Sequence, residues 1–442
     1  MTKLTVLDLR GEYSDPRHHL PRPRVDLASA RAGVDGTLDA VKSGGDVALK
    51  ELTQQFDGVS VRPDESLRVD ESVLDAAVAQ LTPELRAAIE RAADQVRWFH
   101  ERAHPAPWED TRDGATMGVW FNPIQRAGVY VPGGKAVYPS TVVMTVVPAK
   151  VAGVEEVVLC TPPTGVDADG NRTGMPNLTI LAAARLLGVD HVFRVGGAQA
   201  IAAMGYGTES IPSCDKIVGP GNLFVSLAKQ QLAAEGLVGF DGYAGPTEVA
   251  IVADHTGDPQ VIAADLVAQA EHDELATAVL ITPDEKLIAA VQQALVGEVQ
   301  RAHHQARVTT ALTQQGTAVL VDDIDQAVMV AEAFAAEHLE IHTADPFTVA
   351  RRIRYAGTTF IGRDTPVSLG DYAAGPNHTL PTSGTARFTG GLTTSSFLVP
   401  VNYVAYDKQA LQGLASSVKT LADAENLPAH WRAVDVRLGD EG

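Results

Sequence analysis

The stretch 248-EVAIVADHTGDPQVIAADLVAQAEHDELATAVLIT-282 decides the fold. It opens and closes on apolar runs, 248-EVAIVA-253 and 277-TAVLIT-282. A strand wetted on one face alternates apolar and polar residues. Continuous runs of this kind belong to strands covered on both faces, as in parallel sheets. Between the runs, Asp258 and Pro259 make a helix start. Ile262, Leu266, Gln269 and His272 then follow at steps of four, three and three, one stripe of a helix. Strand, helix, strand is the crossover unit that joins parallel neighbours.

The same grammar extends outward in both directions. Further short β-branched runs are 127-AGVYV-131, 156-EVVLC-160, 191-HVFRV-195, 215-DKIVG-219, 317-TAVLVD-322 and 358-TTFIG-362, with helical stretches between them. The chain reads βαβα. So many units predict two open α/β domains or one large barrel, and 442 residues exceed what one core holds. The stretch 241-DGYAGPTE-248 is a sensible hinge between two halves. Upstream, Thr82 and Pro83 start a helix whose stripe is Leu85, Ile89, Ala92, Val96 and Phe99. It stops before the prolines of 104-HPAPW-108. The first 25 residues have weak periodicity and read as an arm; the helical pattern begins at Leu27. The tail from about residue 385 ends in a helix with Leu411, Leu414, Val418 and Leu421 on one face.

Composition narrows the function classes. The net charge of −20 runs against a nucleic-acid or anionic membrane surface, which needs Lys and Arg. No signal peptide and no spanning apolar stretch is read. Two isolated cysteines, Cys160 and Cys214, make neither a disulfide framework nor a metal clip, which points to the cytoplasm. Small-molecule chemistry or protein partners remain.

Three glycine turns follow strands: 132-PGG-134, 196-GGAQA-200 and 219-GPGN-222. Each leads into a helix whose N-terminal N–H groups could meet an anion, although none has the dinucleotide fingerprint spacing. Gln199 and Asn222 sit just past their glycines. They could meet a nucleotide or cap a helix.

Gln269 and His272 extend an apolar stripe, so they need partners. They are either a helix end bonded to nearby carbonyls, the commoner case, or two metal ligands one turn apart. Glu337 and His338 are neighbours where a helix runs into a strand. They read as a surface pair, or as an acid–base pair at the end of a strand, where α/β domains place ligands. The segment 370-GDYAAGPNHTLPTSG-384 reads as a long irregular loop; Asp371 and His378 are either its chemistry or a turn cap and an exposed imidazole. Glu425 and His430 close the tail in 425-ENLPAH-430. His18, His19, His303 and His304 lie in polar contexts and are assigned to solvent.

Together these segments resemble the histidinol dehydrogenase family, in register along nearly the whole chain. The blocks are YVPGG at 130–134, GGAQAIAA at 196–203, GPGN at 219–222, AGPTE at 244–248, QAEH at 269–272, EHLEI at 337–341, GDYAAGPNHTLPT at 370–382 and the closing ExLxAH. The resemblance implies oxidation of L-histidinol through L-histidinaldehyde to L-histidine, the end of histidine biosynthesis, with two NAD+ in turn and one zinc ion. It implies Gln269, His272, Asp371 and His430 as zinc ligands, His430 coming from the other subunit of a homodimer with shared active sites. Glu337 and His338 would be the acid–base pair. Tyr130, Gln199 and Asn222 match NAD-contacting positions. Thr247, His378 and Glu425, with His338 and the zinc ligands, match positions around the substrate.

The expected architecture is then two Rossmann-like domains with open parallel sheets, 25–246 and 247–386. An arm, 1–24, packs with 105–128, and a helical tail, 387–442, contributes to the partner's site. Two positions depart from the family pattern. Thr247 stands where many members have Ser, and Val367 where many have Glu, which removes a carboxylate near the zinc ligands. Two rival readings are a zinc hydrolase using Glu337 with no need for NAD+, and a silent binder of imidazole metabolites.

Overall fold

The computed structural model describes residues 3–439 apart from 24–26, 134–136, 168 and 244. Gly134 of the first glycine turn and Ala244 of the hinge stretch therefore lie outside the described residues.

In chain order, β1 (Thr5–Asp8) precedes a helical region, and β2 (Trp108–Arg112) and β3 (Ala115–Pro123) form an antiparallel hairpin. A parallel sheet follows, built from β4 (Arg126–Tyr130), β5 (Glu156–Cys160), β6 (His191–Phe193), β7 (Lys216–Val218) and β8 (Gly239–Phe240). Its spatial order is β6-β5-β4-β7-β8. A larger parallel sheet holds β9 (Glu248–Ala253), β10 (Thr277–Thr282), β11 (Gly316–Leu320), β12 (His338–His342) and β13 (Thr358–Ile361). With β1 at its edge, the order is β1-β11-β10-β9-β12-β13. Finally β14 (Leu398–Tyr406) pairs antiparallel with β3.

The opening stretch is β9, the helix Pro259–Ala270 and β10, with Thr277 beside Glu248. Every residue of both strands is buried, which is why neither run alternates. Both sheets are open, so the barrel alternative falls. Each begins at a central strand, runs outward, and returns to that strand's other side. The strand order therefore reverses between β4 and β7, and again between β9 and β12. Apolar clusters cover both faces of each sheet. The helix Pro83–Arg102 starts as expected: the Thr82 hydroxyl accepts the Leu85 N–H at 3.2 Å, and Ile89, Ala92 and Val96 are buried.

The N-terminal segment differs from its reading. Residues 4–20 form part of the half built on the larger sheet. They add β1 to the larger sheet beside β11, and Leu4, Leu9 and Leu20 join that sheet's core. Four residues of strand are too few to show a period. The tail also begins with a strand, β14, in a ribbon mostly exposed on both faces. With neither face buried, no alternation was there to read. Past it run the helices Lys408–Ala424 and Pro428–Leu438, as expected, but Leu414 and Leu421 of the predicted stripe stay exposed.

Candidate active site

The expected acid–base pair stands at the amino edge of the larger sheet. The helix Ile324–Phe334 ends at Ala335, a buried residue held at φ 48. That left-handed turn is costly for a residue with a Cβ and persists only where packing enforces it. It delivers Glu337 and His338 to the start of β12, beside Thr247 and Glu248 at the start of β9.

Hydrogen bonds fix both side chains. Glu337 Oε2 accepts the Thr247 hydroxyl at 2.5 Å and the Glu248 N–H at 2.9 Å. Burial nevertheless pushes this carboxyl up to about 7. His338 Nδ1 lies 3.1 Å from the Glu248 carbonyl. A carbonyl can only accept, so Nδ1 carries the proton and Nε2 presents a lone pair. Burial lowers the His338 pKa and keeps the ring neutral. The side chains of Glu337 and His338 are 3.7 Å apart and so are neighbours rather than a bonded pair. Glu248 is buried beneath them and pushed up to about 7 by that burial, against the pull of Arg22. Arg22 reaches it from the N-terminal segment, also donates to the Phe334 carbonyl, and lies 4.0 Å over the Phe334 ring.

A second group of residues adjoins this pair. Gln269 Nε2 donates to the Thr247 hydroxyl oxygen at 2.7 Å, whereas Gln269 Oε1 is buried with no hydrogen-bond partner. His272 lies just past the helix end, and its Nε2 is 3.8 Å from Asp371 Oδ2. Asp371 sits in the last turn of the helix Val367–Tyr372. An orphaned amide oxygen, an imidazole and a carboxylate fit a zinc ion: tetrahedral ligands at about 2.1 Å stand about 3.4 Å apart. Both helices also direct their negative ends here, which favours a cation. His378 Nδ1 donates to the Asp371 carbonyl at 3.0 Å, and its Nε2 lies 3.3 Å from the Thr141 hydroxyl. Thr141 belongs to the helix Pro139–Ala152 that packs on the smaller sheet, so the 370–384 loop bridges the two halves. Val367 opens its helix with its side chain in the core, and its N–H donates to Glu340 Oε1 at 2.9 Å.

The structure thus gathers Thr247, Gln269, His272, Glu337, His338, Asp371 and His378. It does not bring in Glu425 and His430. Both are exposed on tail helices whose main contacts are with each other and with β14.

The expected dinucleotide residues stand elsewhere, at the carboxyl edge of the smaller sheet. Tyr130 ends β4, and its hydroxyl accepts the Gly197 N–H at 3.1 Å. Gln199 lies in the first turn of the helix Gly197–Tyr206, buried with Nε2 unpartnered. Asn222 is exposed and caps the helix Leu223–Ala234 by accepting the Val225 N–H at 3.1 Å. Gly219 has φ 113, and a Cβ there would fall 2.1 Å from the Tyr130 carbonyl oxygen, so only glycine fits.

Sequence reasoning missed the groups that hold this edge. Lys229 Nζ donates to the Gly219 carbonyl at 2.9 Å and to Asp241 Oδ1 at 2.5 Å, while Asp241 Oδ2 accepts the Gly219 N–H at 2.7 Å. This ion pair is buried. Asp57 is pushed up to about 6 by burial, and its Oδ1 lies 3.3 Å from where a Gly196 Cβ would be. Nothing in the spacing of Lys229, Asp241, Asp57 or Arg22 marks them; only the fold brings them in.

Comparisons with known proteins cover nearly the whole chain. The family profile described as Histidinol dehydrogenase matches residues 20–438. The Histidinol dehydrogenase of Corynebacterium diphtheriae is 46% identical over 99% of this chain and 98% of its own length. That of Thermobifida fusca is 47% identical over 99% and 98%. The crystal structure of the Histidinol Dehydrogenase from Elizabethkingia anophelis superposes with a TM-score of 0.92 at 33% identity, covering 98% of both chains. With its fold and nearly its full length in common with these proteins, the chain belongs to the histidinol dehydrogenase family of oxidoreductases.

Proposed function

We propose that this enzyme oxidises L-histidinol to L-histidine through L-histidinaldehyde, the last step of histidine biosynthesis, using two NAD+ in turn and one zinc ion per subunit. The observation that carries the reading is the buried Glu337–His338 pair set against the Gln269, His272 and Asp371 donors. Those three residues and the partner's His430 would hold the zinc ion, which would bind the imidazole and amino nitrogens of the substrate. Tyr130, Gln199 and Asn222 would hold NAD+, the hydride acceptor in both oxidations, with two helix N-termini available to its pyrophosphate. Thr247, His378 and Glu425 would surround the substrate.

The protein's own groups do the proton work. His338 Nε2, free because Nδ1 is committed to the Glu248 carbonyl, takes the alcohol proton in the first oxidation. Glu337, poised near neutrality, then takes a proton from the water whose oxygen attacks the aldehyde carbon. His338 returns its proton to the carbonyl oxygen as the hydrate forms, and in the second oxidation takes a hydroxyl proton of that hydrate. Keeping the aldehyde in a buried site between the two oxidations shields a reactive intermediate.

The working unit in this reading is a homodimer. Exposed Leu414, Leu421 and Leu427 on the tail, next to exposed Glu425 and His430, support placing 387–442 against a partner. Among the described residues no helix is long and apolar enough to cross a membrane. Both cysteines are free and buried, which suits the cytoplasm.

The test is the NADH yield from limiting L-histidinol with zinc-loaded protein. Two NADH per histidinol is the expected result. One NADH with released aldehyde would remove Glu337 from its proposed role. No NADH, with zinc bound, would sink the dehydrogenase reading and favour hydrolase chemistry.

A further inference from the structure

Directly beneath the proposed zinc donors lies a second layer of side chains that the mechanism above does not use. Along β12, His338, Glu340 and His342 occupy alternate positions and so share one face of the sheet. His338 belongs to the active site; Glu340 and His342 lie deeper. Asp265 is one helical turn before Gln269, and Val367 is one turn before Asp371. The three elements that build the site therefore each continue downward into the same cluster.

The contacts within it are specific. Glu340 Oε1 accepts the Val367 N–H at 2.9 Å. Glu340 Oε2 accepts from His342 Nε2 at 3.3 Å. Asp265 Oδ2 is 3.9 Å from that same nitrogen and has no hydrogen-bond partner. Donor atoms from Asp265, Glu340 and His342 all lie within 4.8 Å of one another. The side chains of Asp265, Glu340 and His342 are 11%, 0% and 3% exposed. Among the described residues no Lys or Arg forms an ion pair with either carboxylate; His342 is the partner of both.

Two carboxylates this close and this buried do not both ionise, so one keeps a proton. Burial pushes the Asp265 carboxyl well above the usual carboxylate range, and the Glu340 charge adds to it. Asp265 packed against Glu340 and His342, with Glu340 bonded to the first N–H of the next helix, makes a continuous strut. It runs from the helix Pro259–Ala270 through β12 to the helix Val367–Tyr372.

We infer that Asp265 and Glu340 are positioning residues for the proposed zinc site, fixing the helix that carries Gln269 and His272 against the helix that carries Asp371. The inference rests on the zinc assignment under the proposed function. Ion affinity depends on donors being held at one spacing before the ion arrives. Here the spacing between donors on two separate helices is set from one turn below. The strut touches neither substrate nor ion, so its loss acts through donor placement.

The test compares zinc affinity, by competition with a chromophoric chelator, in the full-length wild type and the Glu340→Leu and Glu340→Gln variants. Circular dichroism and thermal melting are followed in parallel. Glu340→Leu, folded, is expected to lose roughly 10–100-fold in zinc affinity. Glu340→Gln keeps an acceptor for the Val367 N–H and a polar partner for Asp265, and is expected to return near to wild type. A purely packing role would not show that rescue. Asp265→Leu and Asp265→Asn read the same quantity from the other helix should Glu340→Leu fail to fold. A folded leucine variant that binds zinc as the wild type does overturns the inference. So does a second zinc equivalent in the wild type that disappears in Glu340→Gln, which would make the cluster an ion site itself. A wild type that binds no zinc overturns both the zinc assignment and this inference.

Discussion

The two parallel sheets share one topology and place their candidate residues on opposite edges. In the smaller sheet the candidate residues follow the strands: Tyr130 ends β4, and Gln199 and Asn222 open the helices after β6 and β7. In the larger sheet they precede or begin the strands: Thr247 lies before β9, Glu337 and His338 start β12, and Gln269 ends a helix. Ligands of open α/β sheets are expected at carboxyl ends, at the switch point. The smaller sheet obeys, at β4 and β7. In the larger sheet the candidates also stand at the switch point, β9 and β12, but at the amino edge.

Electrostatics explains what each edge suits. A carboxyl edge gathers helix N-termini, whose free N–H groups and positive ends favour phosphates. An amino edge gathers helix C-termini, whose carbonyls favour cations. One fold, used from both ends, can therefore hold an anionic dinucleotide and a metal ion without the two competing for one surface.

Four experiments break or sharpen this contrast. The largest effect is expected at the amino edge. Glu337→Gln should slow aldehyde oxidation by roughly 10²–10⁴-fold while alcohol oxidation suffers less, since it depends on His338. Trapping aldehyde with a hydrazine during turnover reads this directly, and equal losses in both halves would refute the division of labour.

At the carboxyl edge, Lys229→Met strands Asp241 as a buried charge. A loss of about 3–5 kcal/mol of stability is expected by denaturant melting, together with a higher KM for NAD+ and little change in zinc affinity. Gly219→Ala is smaller in volume but meets the Tyr130 carbonyl at 2.1 Å. Weaker NAD+ binding by titration calorimetry is the expected outcome, and unchanged binding would show that the turn does not face the dinucleotide. The smallest effect is in pH. Glu337 works as a base only when deprotonated, and burial pushes it to about 7. The aldehyde half-reaction should therefore rise as pH passes upward through about 7, and flatten in Glu337→Gln.

The sequence made some of this legible for definite physical reasons. β9 and β10 could be read because burial on both faces leaves unbroken apolar runs. Gln269 stood out because an amide on an apolar stripe demands a partner, and the structure shows its Oε1 without one. The ribbon strands β2 and β14 could not be read, because exposure on both faces erases the period. β1 and Arg22 act on residues some 300 and 226 positions away, a distance no local pattern encodes. The roles of the site residues came from resemblance, not from spacing. Val367 shows why both kinds of reading are needed. The resemblance marked a missing carboxylate, and the structure supplies Glu340 against the same backbone N–H.

The claim that the two edges work separately is tested most directly by titrating NAD+ and zinc, each alone, into the Asp371→Asn variant. The expected result is a clear loss of zinc affinity with NAD+ affinity within about twofold of the wild type, as for sites that share no side chain. A comparable loss of both would contradict the account and place dinucleotide and metal on one edge.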